Sequence, residues 1–297
     1  MMQKISVVGH VALDYIFSIP GFPEMNSSTY ISDYERFYGG GAANIAAAIV
    51  SLGGECELTS PVGMDFSHSG YESHLENLGV KLDRLVKFEG EKMARCYIFN
   101  DEKQNQITYF YWGASYRFPE LKVPKAGIVH IATAHPLFNV KMAKTAEFVS
   151  FDPGQDLVKY SAEDLSSILS DTDILFANRH EIQRLCAMTA RSFSDIVDEV
   201  GTVAVTYGVD GSKIYRNGSE RIEIPPVQVS SVDPTGAGDG YRAGFLIGFA
   251  KGHDLETCGK IGATVASFVV EKRGSQTNLP KWDQMKERYE RFFHEKI

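Results

Sequence analysis

The sequence holds no run of eighteen apolar residues, so no stretch of it suits a membrane-spanning helix. It holds no run of five Lys or Arg, which argues against a polybasic membrane patch. Positive charge is in deficit: 30 Lys and Arg face 38 Asp and Glu, for a formal net charge of −8. Broad binding to nucleic acid needs a basic surface, and no such partner is expected. Cysteine is scarce. Cys56, Cys96, Cys186 and Cys258 stand 40, 90 and 72 positions apart, spacings of neither a metal finger nor a redox motif. Four reduced, mostly buried thiols in a cytoplasmic protein are expected. Met1-Met2-Gln3-Lys4 leads into a short apolar stretch that Gly9 and His10 interrupt, so no secretory leader is expected. Without one, the Asn-x-Ser matches at Asn26 and Asn217 carry no meaning. No G-x-x-x-x-G-K-[ST] phosphate loop, internal repeat or low-complexity segment occurs.

What is present has the balance of an ordinary globular protein. The 297 residues are 43% hydrophobic and 23% charged, enough for one large α/β domain or two smaller ones. Short apolar runs at 5–8, 128–132, 148–151, 174–177 and 203–205 lack polar alternation, as buried parallel strands do. Each is followed by small or hydrogen-bonding residues: Gly9-His10, Thr133, Asp152-Pro153-Gly154, Asn178, and Thr206-Tyr207-Gly208. In open parallel sheets that edge binds ligands. Apolar stripes at helical spacing alternate with the runs: Ile45-Ile49-Leu52, then 243–250, 258–269 and 282–293. The alternation predicts a three-layer α/β fold with a mostly parallel sheet.

One region departs from that scheme. Residues 94–99 and 106–112 read as two strands joined by a polar turn at 100–105, apolar or aromatic on both faces. Ile107, Tyr109 and Tyr111 face one way, and Thr108, Phe110 and Trp112 the other. The stretch 15–37 is similarly strand-like, broken by Pro20 and Pro23. A small projecting sheet follows. It is either an extra layer or dimer interface, or a lid over a flat substrate.

The strongest local signal is Asp233-Pro234-Thr235-Gly236-Ala237-Gly238-Asp239, running into the 243–250 stripe. Glycines at a helix start converge backbone N–H groups with the positive end of the dipole, making an anion site. A carboxylate beside an anion site makes sense if Asp239 takes a proton from a hydroxyl that attacks a held phosphoryl group. The alternative is a Gly-rich turn with a helix-start carboxylate. A second cluster, Gly39-Gly40-Gly41-Ala42-Ala43-Asn44, opens the helix expected over 45–52. Asn44 both donates and accepts, which suits a sugar hydroxyl. Asp14 lies past the first strand, either holding two adjacent hydroxyls or merely at the surface. Asn178 and Glu181 suit water-mediated Mg²⁺ binding or a helix cap. His180 reads as solvated or capping. The Thr206–Gly211 segment could border a nucleotide or be only a turn.

Together these motifs resemble the ribokinase (PfkB) family of carbohydrate and nucleoside kinases, in the right order over essentially the whole chain. Within it the sequence looks most like the archaeal nucleoside kinases. Gly9-His10-Val11-Ala12-Leu13-Asp14, Gln106-Ile107-Thr108-Tyr109-Phe110 and Asp152-Pro153-Gly154-Gln155-Asp156 carry that likeness. The resemblance implies one ribokinase-like domain over 1–297, with a β-sheet lid from about 13–38 and 92–114. It implies Asp239 as catalytic base and the N–H groups of Gly236, Ala237 and Gly238 as the anion hole. Asp14, Gly40, Gly41 and Asn44 would hold ribose hydroxyls, with Gln106, Thr108 and Gln155 also contacting substrate. Asn178, Thr206, Gly208 and Gly211 would border ATP, and Asn178 and Glu181 would serve Mg²⁺. Asp233 and Thr235 match part of a monovalent-cation site, so K⁺ activation stays open. The run Gly39-Gly40-Gly41-Ala42 lacks the Lys that ribokinases often carry there.

The expected activity is ATP-dependent phosphorylation of a nucleoside 5′-hydroxyl. The alternatives are a free-sugar or sugar-phosphate kinase, for which Arg36, Arg95 and Arg117 are candidate basic residues, and a non-catalytic sensor. The aromatic sheet leaves a homodimer open.

Overall fold

The computed structural model describes residues 3–103, 105–216 and 220–297. Asn217, Gln104 of the 100–105 turn, and Met1-Met2 lie outside them.

Among the described residues, thirteen strands form two sheets. The large sheet contains β1 (Ile5–Val8), β4 (Cys56–Gly63), β5 (Lys81–Phe88), β8 (Ala126–Ile131), β9 (Ala146–Phe151), β10 (Ile174–Asn178), β11 (Thr202–Thr206), β12 (Ser212–Arg216) and β13 (Glu220–Ile224). Its order is β13-β12-β11-β10-β9-β8-β1-β4-β5. Strands from β11 to β5 run parallel; β12 and β13 are antiparallel additions at one edge. The five apolar runs all fall in this sheet.

Alternation along each strand divides the core into two layers. In β10, Ile174 and Phe176 point to one cluster, while Leu175 and Ala177 point to the other. The first cluster is covered by the helices Gly41–Ser51, Ala237–Ala250, Leu255–Val269 and Trp282–Phe293. The second is covered by Pro136–Ala143, Ala162–Ser170, Arg179–Thr189 and Phe193–Val200. Each large apolar side chain sealed there contributes about 1.5–3 kcal/mol. The three expected layers are present. Cys56, Cys96 and Cys258 are buried, Cys186 is half-buried, and all four are free thiols. Among the described residues no helix is long and apolar enough to cross a membrane.

The small sheet has four strands in the order β3-β2-β6-β7: β2 (Ala12–Ile19), β3 (Asp33–Gly39), β6 (Ala94–Asp101) and β7 (Gln106–Tyr111). Its inner face buries Ile16, Cys96 and Ile98 against Phe37 and Phe110. Its outer face carries a stack of rings: Phe17 lies 4.7 Å from Phe99 and 5.8 Å from Tyr34, and Tyr15 lies 5.6 Å from Tyr97. The expected second strand differs at its end. Trp112 does not continue β7; it precedes the 3₁₀ helix Gly113–Glu120 and tucks under the sheet, 4.9 Å from the His10 ring. Two glycine-started helices and the carboxyl ends of β1, β8, β9 and β10 converge below this sheet.

Candidate active site

A cavity of about 340 Å³ lies between the small sheet and the main sheet's carboxyl edge. His10, Thr133, Asp152 and Glu181, each just beyond a parallel strand, form its floor. Asp14, Gly40, Gly41, Asn44, Gln106, Thr108 and Gln155 all line it. A second cavity of about 270 Å³ is lined by Thr206, Gly208 and Gly211 together with Val227, Tyr241 and Ala266. The segment 234–239 is the wall between them. Thr235, Gly236 and Asp239 face the first cavity, Ala237 and Gly238 the second, and Pro234 borders both.

That wall is shaped by Gly236. Its φ of +81° is in the left-handed region, and a Cβ there would lie 2.4 Å from Ser275 Cβ. Only glycine fits both conditions. The helix Ala237–Ala250 that follows has no side-chain cap, so no side chain competes for its first N–H groups.

Asp239 sits in the first turn of that helix. Asn44 Nδ2 donates to its Oδ2 at 2.8 Å. Asn44 is oriented in turn by Gln276, whose Nε2 donates to Asn44 Oδ1 at 2.8 Å and to the Tyr71 hydroxyl at 2.6 Å. Tyr71 donates to the Gly39 carbonyl at 2.8 Å, closing the chain back onto the glycine cluster. Burial raises the Asp239 carboxyl above the ordinary range; Arg242 and the Asn44 hydrogen bond oppose that rise. A carboxylate of raised basicity suits proton acceptance near neutral pH.

Asp14 belongs to the small sheet. Its carboxylate packs on the Gly39 backbone, where a Cβ would lie 2.0 Å from Asp14 Oδ2. Burial, followed by the charges of Asp239 and Asp233, raises its pKa to about 7. His10 ties the layers together: Nε2 is 2.7 Å from Asp156 Oδ2 and Nδ1 is 2.8 Å from Ser115 Oγ.

Asn178 and Glu181 form a reciprocal capping box. Asn178 Oδ1 accepts from the N–H groups of His180 at 2.8 Å and Glu181 at 2.9 Å, and Glu181 Oε2 accepts from Asn178 N–H at 2.7 Å. Glu181 lines the first cavity, but Asn178 is a wall residue of neither. His180 is exposed, as expected. Asp233 accepts from Thr235 N–H at 3.0 Å and Gly274 N–H at 3.1 Å, pinning the wall to the 273–278 loop. Arg36, Arg95 and Arg117 stay outside both cavities. Arg95 pairs with Asp65 at 2.8 Å, Arg117 pairs with Glu91 at 2.9 Å, and Arg36 donates to the Ser69 carbonyl at 3.3 Å.

His10 and Asp152 stand at the strand ends where the sequence predicts ligand contacts, though without assigned roles; two supporting residues, Arg242 and Gln276, carry no motif of their own. One signal was available for Arg242, which stands one helical turn after Asp239.

A carboxylate at an uncapped helix start, between a cavity beneath the small sheet and a second cavity at the sheet edge, is a layout that suits a small-molecule phosphotransferase. The family model of pfkB family carbohydrate kinases matches residues 2–282, and the chain belongs to that family. It is 50% identical to a nucleoside kinase of Methanocaldococcus jannaschii over 296 residues, 98% of each chain. It is 40% identical to a nucleoside kinase of Methanothermobacter thermautotrophicus, over 97% of this chain and 96% of that one. The crystal structure of Methanocaldococcus jannaschii nucleoside kinase, an archaeal member of the ribokinase family, superposes with a TM-score of 0.93 at 49% identity, covering 98% of this chain and 99% of that one. Burkholderia thailandensis nucleoside kinase in complex with inosine superposes with a TM-score of 0.92 at 26% identity, covering 99% and 100%. Its complex described as ADP-inosine gives 0.87 at 25% identity, covering 98% and 97%.

Proposed function

We propose that this protein is an ATP- and Mg²⁺-dependent nucleoside kinase that transfers the γ-phosphate to the ribose 5′-hydroxyl. The observation that carries this reading is Asp239, held by Asn44 on the wall between a cavity of about 340 Å³ and a second cavity. In this reading the nucleoside occupies the first cavity. Asp14, Asn44 and the backbone of Gly40 and Gly41 hold the ribose hydroxyls. Gln106, Thr108 and Gln155, at the small sheet's side, meet the base. Asp239 accepts the 5′-hydroxyl proton, and the N–H groups of Gly236, Ala237 and Gly238 face the charge that develops on the phosphoryl group. The nucleotide lies along Thr206, Gly208 and Gly211. The small sheet, spanning about 13–38 and 92–114 of a single 1–297 kinase domain, acts as a lid that excludes water.

The donor set fits Mg²⁺ held mainly by water and nucleotide phosphates. Glu181 has one carboxylate oxygen on Asn178 N–H, and among the described residues no three His, Cys, Asp or Glu group to ligate a metal directly. Glu181, oriented by Asn178, would hold its hydration shell; the ion, when bound, neutralises phosphate charge. Asp233, Thr235 and the buried, unpartnered Ser275 hydroxyl suit a monovalent cation beside the wall, to be tested by exchanging K⁺ for Na⁺. The lid's outer rings, with Tyr34 62% and Tyr109 61% exposed, suit a second copy of the chain, and light scattering tests that.

A sugar-phosphate acceptor is disfavoured because Arg36, Arg95 and Arg117 lie away from the cavity, two of them paired with acids. The test is ADP release with inosine, guanosine, adenosine, cytidine, uridine, ribose, fructose and fructose 6-phosphate. Turnover on nucleosides is expected; turnover on sugars alone would transfer the reading to a sugar kinase. In parallel, Asp239→Asn should lower turnover by about 10²–10⁴-fold while nucleoside binding survives. A loss under tenfold would remove Asp239 from the base role.

A further inference from the structure

The acceptor cavity is acidic. Asp14, Asp152, Glu181 and Asp239 line it, and Arg242 is its one lining guanidinium or ammonium group among the described residues. A terminal phosphate entering there adds negative charge to a negative wall. The open helix start supplies partial positive charge, and Arg242 supplies a full one.

The guanidinium is fixed from behind and free in front. Its Nε lies 2.7 Å from Asp152 Oδ2, with only 11% of the Arg242 side chain and 5% of the Asp152 side chain exposed. Nη1 is 3.6 Å from Asp239 Oδ1, at the edge of ion-pair range. The same nitrogen rests over the wall's backbone: a Cβ at Gly238 would lie 2.6 Å from Nη1 and 3.9 Å from Nη2. The planar group therefore sits beside both the base and the first turn of Ala237–Ala250. The attacking hydroxyl must reach Asp239, and the phosphoryl group must lie between that hydroxyl and the helix start. The Nη edge of Arg242 borders this same volume.

We propose that Arg242 is a catalytic residue that donates to the non-bridging oxygens of the transferring phosphoryl group, with Asp152 as the positioning residue that holds it there. This deepens the kinase reading and rests on it. In the step, the acceptor O–H proton passes to Asp239 and the acceptor O–P bond forms. The bond from Pγ to its bridging oxygen breaks, and that electron pair leaves on ADP. Arg242 keeps its protons and supplies charge and geometry only. Gly238 is small so that this guanidinium can lie on the helix start.

A purely structural role, as counter-ion to Asp152, makes different predictions. The paired change Arg242→Gln with Asp152→Asn removes both charges while keeping amide groups able to hydrogen-bond, so no buried charge is stranded. It should lower kcat by about 10²–10³-fold. The nucleoside dissociation constant and melting temperature should stay near the parent's. In Arg242→Ala, added guanidinium ion should restore part of the lost kcat, and tetramethylammonium at equal ionic strength should not. The proposal is overturned if the paired variant keeps kcat within about threefold of the parent, or if guanidinium does no more than its control. The assay uses whichever acceptor the parent turns over. A parent silent on every acceptor sinks the kinase reading and this inference together, whereas an active parent with an indifferent Arg242 sinks the inference alone.

Discussion

Of the three helices that begin near the first cavity, two have starts built in opposite ways. Arg179–Thr189 closes its first turn on itself: Asn178 Oδ1 takes two N–H groups, and Glu181 returns to Asn178 N–H. Ala237–Ala250 begins from a left-handed Gly236 with no side-chain cap. The first start presents a carboxylate edge to the cavity and suits a hydrated cation. The second presents N–H groups and suits an anion. A missing cap, a defect in an ordinary helix worth about 1 kcal/mol, is in the proposed reading the condition for binding phosphate. The capping box also leaves room for the proposed metal role of Glu181, since capping and metal binding need not compete there. The cap orients the carboxylate, and its remaining oxygen points the electrostatics of the site.

The contrast breaks most visibly at Gly236. Gly236→Ala places a Cβ on Ser275 in a backbone region that costs about 1–3 kcal/mol for other residues. Turnover should fall by about 10²-fold as the N–H groups move, alongside a lower melting temperature. Unchanged kcat would mean that the open start is not the anion site. At the capped start, Glu181→Gln keeps an acceptor for Asn178 N–H but removes the charge. It should raise the Mg²⁺ concentration for half-maximal ADP release by about tenfold, with nucleoside binding intact.

A third test uses pH and addresses the acidic wall common to both starts. The folded protein holds the Asp14 proton up to about pH 7, whereas the ordinary carboxyl value is 3.8. The unfolded chain therefore releases that proton first, and Asp14 lowers stability as pH rises between those values. In the ligand-free protein, Asp14→Asn should gain melting temperature over the parent through this window, then hold a constant difference above it. A variant that loses ground there would show that Asp14 is ionised throughout. The smallest effect belongs to Asn178→Ala. It should cost about 1 kcal/mol of stability, roughly 2 °C, and raise the Mg²⁺ requirement less than Glu181→Gln does.

Much of this architecture is legible in one dimension. The runs in β1, β8, β9, β10 and β11 are apolar without alternation because both faces of each strand are covered, as the alternating assignments of Ile174 to Ala177 show. The strand β4 hides because Glu57 and Pro61 interrupt its pattern. Glu57 is buried only because Lys4 and Arg84 pair with it, at 3.0 Å each. β5 hides because an edge strand with Lys81, Asp83, Arg84 and Lys87 has no need of an apolar code. At the site, Asn44, Gly236 and Asp239 are legible because each sits inside a helix-start motif, and Asp14 because it closely follows the first apolar run. Gln276, and the pairing of Asp152 with Arg242, are not. Gln276 meets Asn44 across 232 positions of chain, and Asp152 meets Arg242 from a different layer, so no spacing rule reaches either.

The six-residue partition at 234–239 separates two rooms whose other walls come from different parts of the chain. The acceptor room is finished by Gln106, Thr108 and Gln155, and the donor room by Thr206, Gly208 and the 226–229 stretch. That separation makes the two rooms modular. With the proposed acceptor in the first room and the proposed donor in the second, a change to the small sheet's lining alters one room and a change to the far strands alters the other. Substitutions in the partition itself are felt in both rooms at once.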